Sequence, residues 1–419
     1  MKTVRLDERL YRTEADNGVT VLSELLPGVR SVAVGIWVTT ASVHETRPKM
    51  GVSHLLEHMV FKGTDRRSAR DIALELEVRG GALDAYTSRD HTSYQARVLD
   101  EDLPRALDVL TDLVRNPTLK ERDLDLERKV VLEEINSVDD TPDDLVFELH
   151  ARALWPEHPY GYSILGTRET VSRLESDDLR ELHAKAYHPR HIVIAAAGNL
   201  NHDLLLKLLA KCGWFTFDAG PEREAVDSVP PAARTVTKVP RDTAQVHVVL
   251  GTNTFPYRDG RRYPLILLTT VLGSGMSSTL FQRVREELGL AYSVHTYQSF
   301  YRETGVAGVY VGSHPSAADQ AVAVICEELA KLSSDGLAAQ RLAEAKQQLK
   351  GQVTLSLESP SARMYRLATI ALYDEPYRTI DQLLAEIDRV SADQVAQVGH
   401  EFLNPDRQTM VWLGPVDSH

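Results

Sequence analysis

The sequence predicts an α+β fold in which two copies of one sheet-and-helix unit follow each other along the chain. Three observations favour this fold. The 419 residues suffice for two or three domains. Segments rich in β-branched residues alternate with segments whose apolar residues recur at helical spacing. The same order of elements recurs after residues 218–233, a segment rich in Pro, Ala and charge that we interpret as a linker between domains 1–217 and 234–419.

The elements of the first half follow from local patterns. β-Branched residues predict strands over 19–22 and 31–39, with Leu-Pro-Gly supplying the turn between them. Ser68 can cap a helix that stops at Gly80-Gly81. The remaining patterns predict a helix over 51–61, a strand, turn and strand over 83–99, an amphipathic helix over 103–114, a charged helix over 119–137 and a strand over 191–198.

The second half repeats this order of elements without repeating the residues. Its first apolar helix occupies the place that the 51–61 helix takes in the first half. The predicted elements are a strand over 245–253, helices over 263–272 and 281–287, a strand over 291–300, and helices over 318–332 and 337–353. We therefore expect two homologous copies of one unit.

Charge and hydropathy exclude some classes of partner. The net charge of −13 repels phosphate backbones, so we expect no nucleic-acid ligand. No stretch approaches the roughly 18 apolar residues of a membrane span. The acidic N-terminal segment lacks an apolar signal core and is a poor transit peptide. We therefore expect a cytoplasmic bacterial protein rather than one of an organellar matrix. Cys212 and Cys326 form no metal-type spacing, and no disulfide framework is expected.

The segment GVSHLLEHMVF carries the residues that indicate chemistry. His54 and His58 are separated by one helical turn and share a helix face, so both imidazoles can reach one ion. Glu57 stands beside them and can take a proton from a metal-activated water. The corresponding helix of the second half has Leu, Thr and Val at 267, 270 and 271, so no metal site is expected there.

A catalytic zinc usually takes a third protein ligand, and the charged helix over 119–137 offers candidates. Glu127 and Glu134 are seven residues apart and share one helix face, whereas Glu133 points elsewhere. The alternative interpretation of this helix is a charged, solvated surface without a ligand.

Three blocks of the chain resemble the pitrilysin/insulinase family of inverted zincins, which includes the mitochondrial processing peptidase and its bacterial relatives. The blocks are GVSHLLEHMVFKGT, LDAYTSRDHTSYQ at 83–95 and VVLEEI at 130–135. The resemblance implies a zinc metallopeptidase with two domains, each a mixed, mainly antiparallel sheet covered by helices. It implies one Zn²⁺ per chain held by His54, His58 and Glu134. Glu127 would orient a ligand or contact the site.

The resemblance also implies residues that hold the substrate. An extended peptide would pair with the strand at Asp84, Ala85, Tyr86 and Thr87. Family members often carry Asn where this chain has Asp84, and an ionised Asp cannot donate a hydrogen bond.

The segment VREELGLAYSV resembles the family's Arg/Tyr segment, which reaches the active site from a domain without metal. It supplies Arg285 and Tyr292, with Arg283 in place of Arg285 if Leu288-Gly289 sets the register. Such a pair can hold a substrate carbonyl. The alternative is a solvated arginine and a tyrosine packed in a sheet.

Partners follow from the same resemblance. Family members enclose a chamber with four domains, and this chain supplies two. We therefore expect a homodimer that admits peptides or unfolded polypeptide segments. The alternatives are the catalytic subunit of a heteromeric processing peptidase, paired with an inactive homologue, and a non-catalytic structural member of the family.

Overall fold

The computed structural model describes residues 1–232 and 234–415, and these fold into two compact units. Unit 1 comprises residues 1–135, 163–226 and 355–377. Unit 2 comprises the described residues within 136–162, 227–354 and 378–419. Residue 233 of the expected linker and residues 416–419 of the expected second domain lie outside the described residues.

Unit 1 is built on a seven-stranded sheet with the order β1-β2-β3-β7-β4-β6-β5. Only the β3–β7 pair is parallel among these described strands, so the sheet is mixed and mainly antiparallel. Strand β5 forms one edge. The strands are β1 (Lys2–Asp7), β2 (Leu10–Glu14), β3 (Thr20–Leu25), β4 (Ser31–Val38), β5 (Ala82–Thr87), β6 (Thr92–Leu99) and β7 (Ile192–Gly198).

Unit 2 is built on a five-stranded sheet with the order β10-β11-β9-β12-β8. Here the β8–β12 pair is parallel and the other pairs are antiparallel. The strands are β8 (Val236–Pro240), β9 (Val246–Thr254), β10 (Ala291–Phe300), β11 (Gly305–Ser313) and β12 (Thr409–Gly414).

Helices make up most of the remaining ordered chain. The segment Phe281–Glu287, for which the sequence predicts a helix, is a π-helix. The α-helices are α1 (Val52–Val60), α2 (Ala69–Glu77), α3 (Leu103–Arg115), α4 (Glu121–Asp139), α5 (Pro142–Leu154), α6 (Arg168–Arg173), α7 (Ser176–Ala186), α8 (His202–Lys211), α9 (Arg262–Gly273), α10 (Ala318–Asp335), α11 (Ala339–Ser356), α12 (Pro360–Leu372), α13 (Ile380–Arg389) and α14 (Ala392–Phe402).

Both faces of the unit 1 sheet are covered. Because side chains alternate along a strand, Val34 and Ile36 of β4 point into the core formed with α1 and α3. Trp37 points to the opposite face, where its ring meets Tyr365 of α12 at 6.1 Å between centroids. Helix α12 packs against β3, β4 and β7. The unit is therefore a helix–sheet–helix sandwich.

The sheet of unit 2 is covered in the same way. Val248 and Leu250 of β9 face the core formed with α9, α10 and α14. Val249 faces the other side and packs with Val146 of α5. The fold class predicted from the sequence, two α+β copies with helix-covered mixed sheets, is therefore confirmed.

The compact units differ from contiguous halves of the chain. Helix α5 belongs to unit 2 although it precedes the linker, and α12 belongs to unit 1 although it follows the linker. Each outer helix layer therefore comes from the other half of the chain. The segments 1–217 and 234–419 remain a proposal about the repeated copies rather than a description of the compact units.

Several elements carry too weak a pattern to be found from the sequence. Strand β1 at the sheet edge is largely exposed, and the β1–β2 hairpin lacks a clear apolar alternation.

In the part of the chain that the structure describes, no helix combines the length and apolar character that crossing a bilayer requires.

Candidate metal centre

Helix α1 presents two different faces. Its apolar residues are buried in the core of unit 1 and fix the helix in place. His54 and His58 lie on the other face, one turn apart, with their ring centroids 4.7 Å from each other. The side chains of both histidines are mostly buried, at 12% and 18% exposure. The apolar set comprises Val52, Leu55, Leu56, Met59 and Val60.

Helix α4 brings a carboxylate to these imidazoles. Glu134 Oε2 lies 3.6 Å from His54 Nε2, and Glu134 Oε1 lies 3.5 Å from His58 Nε2. Neighbouring Glu133 is exposed, as its position on the helix predicts. Three or more His, Cys, Asp or Glu side chains can hold a metal when one ligand atom from each lies close to the others. Within residues 1–232 and 234–415, one such group is found, formed by His54, His58 and Glu134, whose ligand atoms all lie within 4.8 Å of one another.

These residues fit a zinc ion. Two ligand atoms held at about 2.0–2.2 Å by one tetrahedral zinc are about 3.3–3.6 Å apart. Glu134 approaches each imidazole at such a distance with a different carboxylate oxygen, and one ligand atom from each of the three residues lies within 4.8 Å of the others. Two imidazoles and one carboxylate leave a fourth position open, as in catalytic rather than structural zinc sites.

A chain of polar contacts holds the His58 ring through its Nδ1 atom. Its Nδ1 lies 3.1 Å from Glu127 Oε2, and Glu127 Oε1 lies 2.5 Å from Lys62 Nζ. The Glu127 side chain is 8% exposed, so these contacts are shielded from water. A carboxylate at Nδ1 holds the tautomer that leaves Nε2 free for a metal. The structure thus places Glu127 beside Nδ1 of His58, and not in the converging group of His54, His58 and Glu134.

His54 is held neutral by its surroundings. Burial, aided by the nearby charge of His58, lowers the pKa of His54 to about 3. The imidazole is therefore unprotonated at neutral pH and its lone pair is available to a metal. Unlike His58, His54 has a buried Nδ1 with no hydrogen-bond partner among the described residues.

Glu57 lies on α1 between the two histidines and is 9% exposed. Burial is the main cause that raises the pKa of Glu57, and the nearby carboxylates of Glu134 and Asp84 raise it further. Thr87 opposes this shift because its hydroxyl donates to Glu57 Oε2 at 2.8 Å. A desolvated carboxylate of raised pKa is a stronger base than an exposed one.

Strand β5 carries the residues proposed to hold substrate and lies at the open edge of the unit 1 sheet. Asp84 is exposed, and its Oδ1 accepts a hydrogen bond from the Ala85 N–H at 3.0 Å. Tyr86 is engaged inside unit 1, with its hydroxyl 3.1 Å from His91 Nε2. Thr87 contacts Glu57, as described above. The strand therefore offers a backbone edge, while two of its side chains have partners within the unit.

Arg285 and Tyr292 lie in unit 2 and contact each other. The Arg285 guanidinium stacks over the Tyr292 ring, 4.7 Å from its centroid, and Tyr292 is 75% exposed. Arg283 instead pairs with Glu287 at 2.7 Å. This geometry favours Arg285 over Arg283 as the partner of the tyrosine.

The counterpart helix in unit 2, α9, holds no metal ligand at the matching positions. Leu267 is buried in the core of its unit. The Thr270 hydroxyl donates to the Ile266 carbonyl at 2.7 Å, so it is hydrogen-bonded within its own helix.

Two residues near the site were missed by the sequence analysis. Lys62 follows His58 by one turn, and its pairing with Glu127 depends on a contact between distant segments. Glu45 is buried, and it accepts backbone hydrogen bonds from the start of α1. An acidic residue in a loop before a helix gives no sequence signal for such a role. Thr87 was expected to contact substrate, whereas its hydroxyl donates to Glu57.

A helix that bears H-x-x-E-H, together with an acidic residue on a neighbouring helix as the third candidate ligand, is the pattern of the inverted zinc peptidases. The sequence profile of the insulinase family, peptidase family M16, matches residues 20–168. The profile described as the inactive domain of peptidase family M16 matches residues 173–349. The chain belongs to this family.

Close relatives of known sequence span almost the whole chain. The chain is 39% identical over 398 residues to the uncharacterized zinc protease YmxG of Bacillus subtilis, covering 95% of this chain and 96% of the relative. It is 37% identical over 413 residues to an uncharacterized zinc protease of Streptomyces coelicolor, covering 97% of this chain and 89% of the relative.

Solved structures show the same fold. A peptidase M16 inactive domain from Pseudomonas fluorescens superposes with a TM-score of 0.91 at 19% identity, covering 98% of each chain. A protease from Helicobacter pylori superposes with a TM-score of 0.88 at 21% identity, covering 97% of this chain and 99% of that one.

Proposed function

We propose that the chain is a zinc-dependent endopeptidase that hydrolyses peptides or unfolded polypeptide segments. The observation that carries this proposal is the convergence of His54, His58 and Glu134 beside the buried carboxylate of Glu57. One zinc per chain would be held by the two imidazoles and Glu134. Family membership and the names of the relatives support a zinc protease.

The residues of the site have distinct tasks in this proposal. When bound, zinc would lower the pKa of a water molecule to about 7 and polarise the peptide carbonyl. Glu57 takes the proton of the attacking water and passes it to the leaving amine, which becomes a neutral product. Thr87 holds the Glu57 carboxylate in place through its hydroxyl. Glu127 and Lys62 keep His58 in the tautomer that binds through Nε2.

Substrate binding is proposed at the open edge of β5. An extended peptide adds to a sheet edge through backbone hydrogen bonds, so its side chains need not match a fixed sequence. The exposed carboxylate of Asp84 accepts hydrogen bonds and carries negative charge, which supports a preference for donors or cations there.

We also propose that Arg285 and Tyr292 hold the substrate carbonyl in an assembled enzyme. Their mutual stacking and the exposure of Tyr292 support this role. A homodimer would supply four domains to enclose a chamber, and the pair would then act on the site of the partner. Mixing a Glu57→Gln chain with an Arg285→Ala chain tests this arrangement. Recovered activity supports action in trans, and no recovery argues for action within one chain.

The decisive experiment measures hydrolysis of a quenched fluorescent peptide library together with zinc content in the same sample. We expect cleavage with about one zinc per chain, loss of cleavage with a chelator, and recovery on adding Zn²⁺. Cleavage that persists after complete removal of the metal would contradict the proposal. Gel filtration of the same sample tests the homodimer.

A further inference from the structure

The first turn of α1 is held by a carboxylate that lies outside the helix. Glu45 precedes α1, and its Oε2 accepts a hydrogen bond from the Gly51 N–H at 2.7 Å. Its Oε1 accepts another from the Ser53 N–H at 2.8 Å. The first N–H groups of a helix have no partner within the helix, and the two oxygens of Glu45 accept two hydrogen bonds from this end of α1. Glu45 is 6% exposed, so water has little access to compete for these bonds.

The N-cap residue itself cannot supply such a cap. Gly51 has no side chain and adopts a φ of +92°, which other residues rarely tolerate. A Cβ at this position would lie 2.7 Å from the Leu165 carbonyl oxygen. The close backbone packing against residues 165 and 166 therefore excludes a capping Ser, Thr or Asp at position 51. Glu45 takes over the role of a cap from six residues upstream.

The two metal-binding histidines differ in what orients them. His58 is oriented by Glu127 at Nδ1, whereas His54 has no hydrogen-bond partner at its buried Nδ1 among the described residues. Metal-ligating histidines usually depend on such a partner. The direction of the His54 ring must therefore come from packing and from the backbone of the first turn. Ser53, whose N–H is held by Glu45, is the residue directly before His54.

We propose that Glu45 is a positioning residue, which sets His54 for metal binding by fixing the first turn of α1. This inference rests on the proposed zinc site. It assigns to Glu45 a part of the metal affinity, beyond its contribution to the stability of the fold.

The test compares zinc affinity in the full-length protein and in Glu45→Gln, measured by competition with a chromophoric chelator. The amide keeps one acceptor oxygen but turns an NH₂ group toward the other backbone N–H. We expect a loss of affinity of about 10- to 100-fold, the range typical for residues that orient metal ligands. Near-UV circular dichroism and Tm of the metal-free protein report the fold separately.

Ser68→Ala provides the matched control. Ser68 caps α2, where its hydroxyl accepts the Asp71 N–H at 3.2 Å, and α2 carries none of the proposed ligands. We expect this variant to lower Tm and to leave zinc affinity unchanged. If Glu45→Gln does not fold, Glu45→Asp keeps the carboxyl group but is one methylene shorter, and it should show a smaller loss of affinity.

The outcomes separate the two proposals. Unchanged zinc affinity in a folded Glu45→Gln or Glu45→Asp protein, with a wild-type protein that binds zinc, overturns the role of Glu45 alone. An equal loss of affinity in Ser68→Ala would also overturn it, since general destabilisation would then explain the effect. A wild-type protein without affinity for zinc overturns both proposals.

Discussion

Helices α1 and α9 follow the equivalent strands β4 and β9, and each buries apolar side chains in the core of its own unit. They differ at the three positions that carry the H-x-x-E-H pattern of α1. Helix α1 carries His54, Glu57 and His58, whereas the matching positions of α9 carry Leu267, Thr270 and Val271. The comparison teaches that the fold does not create the site. A few polar side chains on a common scaffold, and the residues that support them, make the difference.

Glu57→Gln should abolish most of the proposed peptidase activity, while His54, His58 and Glu134 stay in place. The amide cannot accept the proton of water, so we expect turnover to fall by at least about 10²- to 10⁴-fold. Zinc content should stay near that of the wild-type protein. The measurement is kcat on a quenched peptide, with zinc quantified in the same sample. A zinc-loaded variant with full turnover would remove Glu57 from its proposed role.

Glu134→Ala should remove the proposed third ligand and leave two histidines, which would hold zinc weakly. We expect most of the zinc to be lost on dialysis, and activity with it. Glu133→Ala is the matched control, because Glu133 lies next in sequence on the exposed face of α4. Equal zinc retention in the two variants would exclude Glu134 from the ligand set.

Glu127→Gln should weaken the site without abolishing it. His58 loses the carboxylate that fixes its tautomer, so we expect zinc affinity to fall by about 10- to 100-fold. Lys62→Met, which keeps Glu127 but removes its cationic partner, should have a smaller effect in the same direction. Competition with a chelator measures both variants. A larger effect for Lys62→Met than for Glu127→Gln would contradict the proposed order of contacts.

Thr87→Val should produce the smallest change, a shift in the pH dependence of kcat/KM. The Thr87 hydroxyl stabilises the ionised form of Glu57 and lowers its pKa, so its loss raises the pKa. Because the base must be ionised, the acidic limb of kcat/KM should move to higher pH, by up to about one unit. Thr87→Ser restores the hydroxyl and should restore the profile. A limb that moves to lower pH would be inconsistent with this hydrogen bond.

The sequence predicts the local parts of this arrangement and misses the parts that depend on tertiary contacts. The pairing of His54 with His58 follows from helical spacing alone, and the structure brings the two rings together. Helical spacing did not distinguish Glu127 from Glu134 as the ligand, because both share one face of α4. Only the approach of α4 to α1 separates them, with Glu134 at Nε2 and Glu127 at Nδ1 of His58.

The sequence did not predict, for a related reason, that α5 packs in unit 2 and α12 in unit 1. An amphipathic pattern can show that a helix such as α5 or α12 buries one face, but it does not show which sheet the helix packs against. The fold class could be predicted because it depends on the order of elements, which is local information. The assignment of α12 to unit 1 depends on contacts with β3, β4 and β7, which are distant in sequence.

Helix α12 has a consequence for how the protein is made. Residues 355–377 complete unit 1, and they leave the ribosome only after nearly all of the chain has been synthesised. Until then one face of β3, β4 and β7 lacks its cover, so a nascent or truncated chain presents apolar surface to chaperones and proteases. We therefore expect a chain truncated before residue 355 to be degraded or to aggregate, which pulse-labelling in cells measures. Unit 1 is therefore complete only after residue 377 has been synthesised.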